Sequence, residues 1–206
     1  MNARVFLLSP AQTAGKRARL LTAPDAGGEL AARLRNGGVT VGELFAFVSS
    51  LYFRGKLAYS EAFASPPAGC AGQLVIAPGV GLIEPERTVT RGDVLSMAQV
   101  PVETAEARYP LVRDALRLHD TIGPGCDVVL LGSVASAKYT APLLEVFGTR
   151  LLFPRDFVGR GDMSRGGLML RCAREGKELE YVPVLGAVLR GKRPPRLAKL
   201  SRRVVA

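Results

Sequence analysis

The chain reads as an α/β protein, a mainly parallel sheet flanked by helices, and three observations lead there. Short apolar runs at residues 5–8, 74–77 and 128–131, with a fourth over 150–153 behind a leading arginine, are the strand candidates. Continuous apolar runs of this length suit strands covered on both faces, as parallel strands are, rather than half-exposed alternating ones. Segments of helical spacing lie between them, and Gly, Pro or Ser closes each run.

Residues 5–8 form the first buried strand, closed by Ser9-Pro10, and a polar, basic segment over 12–19 follows. Over 41–64 the residues Leu44, Phe47, Val48, Leu51 and Leu57 fall near helical spacing, and Gly55 predicts a break, giving helix, turn, helix. After Pro66-Pro67-Ala68-Gly69 comes the strand at 74–77, which stops at Pro78-Gly79. Residues 79–85 are predicted as a loop, 93–98 as a short helix and 109–120 as a longer one ending before Gly123. Following the strand at 128–131, Gly132-Ser133 opens a helix that carries Lys138-Tyr139 and runs to Phe147, with Gly148 terminal. Pro154 ends the fourth strand. A helix over Leu168, Met169, Leu170 and Cys172 is expected beyond Gly159, and a last strand at 180–184. In such sheets the functional loops gather at the carboxyl ends of the strands. Ser9-Pro10, 79–85, Gly132-Ser133 and 154–165 are all assigned to that edge.

With 206 residues the chain supports one core, so residues 1–189 are taken as a single α/β domain. Residues 190–206, with Pro194-Pro195, seven basic residues and no acidic one, read as a basic extended tail. An apolar share of 48% with 22% charged residues belongs to a folded chain. No run approaches the ~18 to 20 apolar residues of a membrane span, which predicts a cytoplasmic protein without a membrane partner. Three scattered cysteines, Cys70, Cys126 and Cys172, exclude a disulfide framework and a zinc pattern. The lone His119 lies on a predicted helix, away from any G-x-S-x-G elbow, and no G-x-x-x-x-G-K-[ST] loop is present. Neither a metal nor a cofactor is implied.

The charge of +10 and pI near 10.1 call for an anionic partner, a nucleic acid or another phosphate-bearing ligand. From residue 150 onward there are 14 basic residues against 5 acidic ones, so most of the excess sits in the last quarter. The motif Gly159-Arg160-Gly161-Asp162-Met163-Ser164-Arg165 places two guanidiniums among glycines at a predicted helix start. That arrangement can grip phosphate with forked donors and free backbone N–H groups. A plain ion pair between Arg165 and Asp162 is the competing reading. Tyr52-Phe53-Arg54-Gly55-Lys56 joins aromatic faces to positive charge, as base-stacking proteins do, although Tyr52 and Phe53 equally suit a core. Ser9, Lys16, Gly79, Gly81 and Ser133 complete the anion-binding candidates. Lys138 and Tyr139 are candidates for acid–base catalysis, with no third residue to orient them.

These motifs, in this order, resemble the YaaA family of peroxide-stress proteins. Leu7-Leu8-Ser9-Pro10-Ala11-Gln12-Thr13 is similar to the family's I-S-P-A-K-T-like loop, and Tyr52-Phe53-Arg54-Gly55 to its F-K-G-x-x-Y segment. Residues 79–85 are similar to its S-G-L-Y-G-x-L-x-P loop, 133–139 to L-A-S-x-E-Y, and 160–165 to A-R-G-x-M-S-R. The resemblance spans roughly residues 5 to 175 and implies DNA binding in a positively charged cleft, in a response to oxidative stress. Departures are Lys138 in place of the acid before the tyrosine, Val80 in place of a tyrosine, and a missing helical insert between Arg19 and Val41. Two functions stay open. One is nucleic-acid binding, with DNA the leading candidate, and the other is an enzyme acting on a nucleotide or on a base within nucleic acid.

Overall fold

A computed structural model describes residues 2–101, 104–134, 137–188, 191–195 and 197. Its main sheet holds β1 (Ala3–Leu8), β3 (Gln73–Ala77), β4 (Gly81–Ile83), β6 (Cys126–Leu131), β7 (Leu151–Pro154) and β8 (Tyr181–Pro183), in the order β4-β3-β1-β6-β7-β8. The four inner strands run parallel, while β4 and β8 run antiparallel at the two rims. β2 (Val39–Thr40) and β5 (Thr88–Val89) make a separate two-stranded ribbon.

The helices are α1 (Lys16–Thr22), α2 (Glu29–Asn36), α3 (Val41–Phe63), α4 (Arg91–Gln99), α5 (Ala105–Ile122), α6 (Ala137–Phe147) and α7 (Asp162–Glu175). Val5, Phe6, Leu7 and Leu8 are all wholly buried, and successive strand side chains point to opposite faces, so β1 is covered on both. α3 packs on α7, and α5 packs on α6. The mixed α/β class and the mainly parallel sheet are as the apolar runs predict.

Several expectations change. The break in α3 is at Ser50, whose φ of 46° and ψ of −122° are the only positive φ of a non-glycine among the described residues. Gly55 instead lies inside the helix, where a Cβ would come within 2.6 Å of the Gly166 carbonyl oxygen. Likewise a Cβ on Gly166 would meet the Leu51 carbonyl oxygen at 2.6 Å, so the two glycines let α3 and α7 touch backbone to backbone. Residues 79–85 are a hairpin rather than a loop: Ala77 pairs with Gly81, and β4 carries Glu84 and Pro85 away from the carboxyl edge. α6 begins at Ala137, and Gly132–Val134 precede it as loop; Ala135 and Ser136 of that motif lie outside the described residues. α2, β2 and β5 are short elements that periodicity does not announce.

The parallel strands run outward from β1 to β3 on one side and to β6 and β7 on the other. The direction of winding therefore reverses between β1 and β6. In doubly wound sheets the crevice outside that reversal is where ligands bind. Here it is bordered by Ser9, which follows β1, and by Gly132 and Ser133, which follow β6.

Candidate functional site

At the end of β1 the Ser9 amide donates to the Leu131 carbonyl oxygen at 3.2 Å, which ties this turn to β6. Gly132 packs directly against it, since a Cβ there would lie 2.8 Å from Ser9 Cβ. Lys56 reaches Ser9 from α3. Its Nζ donates to the Ser9 carbonyl oxygen and to Ser9 Oγ, both at 2.8 Å, and lies 4.0 Å from the centre of the Tyr52 ring. Two oxygens and one aromatic face thus account for the three protons of an ammonium.

Lys56 is 1% exposed and Ser9 7%, so these two are not walls of an open groove as the basic motif suggests. Burial pushes the Lys56 amine down to about 7, with Asp162 pulling it up and Arg165 pushing it further down. A signal for this is present in the sequence: Tyr52, Phe53, Lys56, Tyr59 and Ser60 share one helical face, and all five are buried. Tyr52 Oη is buried with no hydrogen-bond partner among the described residues. Burial raises its phenol to about 12, against a lowering by the Arg165 charge.

α7 supplies the neighbouring cations. Arg165 is turned inward, its Nε and Nη2 donating to the Phe157 carbonyl oxygen at 3.2 and 3.1 Å and its Nη1 to Asp162 Oδ1 at 3.4 Å. It is a buried brace, and its pairing with Asp162 is the plainer of the two readings of the motif. Arg160 faces the other way. Its Nε donates to the Asp156 carbonyl oxygen at 2.9 Å and Nη1 to Ser164 Oγ at 3.3 Å. Three of its five N–H donors have no partner among the described residues.

Beside Arg160 and Ser164 opens a cleft of about 310 Å³, lined also by Gly161, Met163, Arg193, Pro194 and Leu197. Among the described residues no carboxylate lines it. The described part of the tail therefore does not trail away but folds back over the start of α7. A Cβ on Gly191 would meet the Val158 side chain at 2.8 Å, and Leu197 lies against Gly167. The tail residues 190, 196 and 198–206, and residue 189 before them, lie outside the described residues.

Other candidates stand apart. Lys16 and Arg54 lie on α1 and α3, and Arg17 beside Lys16 lies 5.2 Å from the Phe47 ring, which joins α1 to α3. Phe47 and Arg54 lie on the two arms of α3, before and after the break at Ser50. Gly79 and Gly81 shape the hairpin with φ of 72° and 113°. The face of Gly81 is taken by the Asp114 carboxylate, which accepts from the Leu82 amide at 3.0 Å, so an acid occupies the place where the sequence suggests a phosphate. Ser133 is exposed after β6, while Lys138 and Tyr139 sit in the first turn of α6.

Another concavity, of about 680 Å³, lies against β7 and β8 and is lined by Phe153, Arg155, Val158, Val182, Leu185 and Val188 among others. It is largely apolar, and Arg155 and Val158 bring it to the carboxyl end of β7. Among the described residues no group of three or more His, Cys, Asp or Glu could hold a metal ion, and no helix is long and apolar enough to cross a membrane. The chain matches no family model, and searches of curated proteins and of solved structures found no match either.

Proposed function

We propose that this chain binds nucleic acid, DNA first, through the basic surface at the start of α7, in the manner that its motif order shares with the YaaA family. The observation that carries the reading is the cleft lined by Arg160, Ser164 and Arg193, with no acid among the described lining residues. A phosphate there would find forked guanidinium donors and the first amides of a 14-residue helix. Lys16, Arg17 and Arg54, on α1 and α3, supply further positive charge for a backbone that continues beyond the cleft. A role in oxidative stress follows the family likeness alone and forms the outer part of the proposal.

The test is fluorescence anisotropy on a labelled duplex across a salt series. Affinity falls with salt at a log–log slope of about −0.9 for each phosphate neutralised. The double variant Arg160→Ala, Arg193→Ala loses about two such contacts, so its slope is shallower by about 1.8. A slope near zero in the parent chain, or an unchanged slope in the double variant, overturns the proposal.

A further inference from the structure

Neither Ser9 nor Lys56 lines the cleft assigned to nucleic acid, and together they have the geometry of a different device. A serine hydroxyl sits 2.8 Å from an amine that is held on its other sides by a carbonyl oxygen and an aromatic ring. Nucleophile, base and a group that orients the base are the three parts of an activated serine, and lysine serves as the base in some such sites. Among the described residues no carboxylate bonds to Lys56. The titratable groups acting on it are Arg165 and Asp162 of α7, and Tyr52 on its own helix gives it a ring face.

The amine fits Ser9 in either protonation state. As an ammonium it donates to both Ser9 oxygens; as a neutral amine it keeps the carbonyl bond and offers its lone pair to the hydroxyl proton. Burial brings the two states close to balance near neutral pH. Beyond Ser9 and Pro10, the amides of Ala11, Gln12, Thr13 and Ala14 make no hydrogen bond among the described residues. They follow the serine at the winding reversal of the sheet, where a developing negative charge would need donors. Tyr52 Oη is a buried hydroxyl that faces the Arg165 guanidinium.

We propose that Ser9 and Lys56 form a nucleophile–base dyad that transfers acyl groups from carboxylic esters to water. Lys56 Nζ takes the Ser9 hydroxyl proton as the Oγ–carbon bond forms and the carbonyl π pair moves onto oxygen. That pair returns as the ester C–O bond breaks, and the departing alcohol takes the proton from Lys56. Water, giving its own proton to Lys56, then attacks the acyl-serine; as the acyl–Oγ bond breaks, Lys56 returns that proton to Ser9 Oγ and the acid is freed.

The full chain is treated with a fluorophosphonate probe, and the adduct is located by mass spectrometry. p-Nitrophenyl acetate hydrolysis is followed in parallel from pH 6 to 9. Ser9 carries the adduct, and the wild-type rate climbs with pH to a plateau with a midpoint near 7. In Ser9→Ala the rate drops by about 10²-fold or more. An adduct elsewhere, no adduct at all, or wild-type turnover in Ser9→Ala overturns the dyad. The adduct measurement needs no variant, so it decides the matter even where Ser9→Ala is destabilised. DNA binding is read separately on the Arg160 cleft, so either activity can fail alone.

Discussion

Each end of β1 meets a basic side chain, Arg4 partly buried and Lys56 wholly so, and the two are treated in opposite ways. At the amino end Arg4 makes an ion pair with Glu178 and lies 4.8 Å from the Tyr181 ring. Glu178 also accepts from the Tyr181 hydroxyl at 2.7 Å, Tyr59 donates to Tyr181 at 2.7 Å, and the Leu179 amide donates to Tyr59 at 2.8 Å. Each charge in this network is answered, and the network joins β1, α3 and β8. At the carboxyl end Lys56 meets only neutral oxygens and a ring face. A buried amine with no acid in direct contact is costly to keep charged, so the two ends of β1 hold their basic groups at different cost.

The sharpest test removes the cation at the paired end. Arg4→Met leaves Glu178 half-buried without its partner and lowers unfolding stability by about 3 kcal/mol in urea denaturation. A loss below about 1 kcal/mol would erase the contrast between the two ends. Next in size is the backbone contact that holds the carboxyl end together. Gly166→Ala forces a methyl against the Leu51 carbonyl and Tyr52 Cα, at 2.6 and 2.7 Å, and costs about 2 kcal/mol by the same measurement. Tolerance of that change would mean that α3 and α7 part easily over Lys56.

A smaller effect distinguishes the ends by pH. Folded Lys56 sheds its proton near pH 7, whereas the unfolded residue holds it to about 10.5. Between those values the unfolded chain binds more protons, so wild-type stability rises with pH. The gain from pH 7 to 8.5 is between about 1 and 2 kcal/mol, and it is absent from Lys56→Met when the two are compared in parallel urea titrations. Equal gains in both proteins would show that Lys56 keeps its charge throughout the range.

The four inner strands, the long helices and the parallel sheet are legible in the sequence because each apolar run is continuous and sharply closed. Residues whose role depends on the facing element are not. Gly55 reads as a breaker in its own segment, yet its meaning comes from Gly166, more than a hundred positions away. Ser50 has no local feature that announces a positive φ. Lys56 and Arg165 stand out as basic residues of the site, but charge by itself suggests exposure, and the burial of Lys56 follows only from the face it shares with Tyr52, Phe53 and Tyr59. Arg160 and Ser164 are legible as neighbours because they lie four residues apart across a helix start, while Arg193 joins them only through the fold of the tail.

Both margins of the main sheet end in reversed strands of three residues each, β4 and β8. Each offers few free amides and carbonyls for another chain to extend, since a short, antiparallel border is a poor template for growth. Edge-to-edge pairing of copies is thereby discouraged at both flanks.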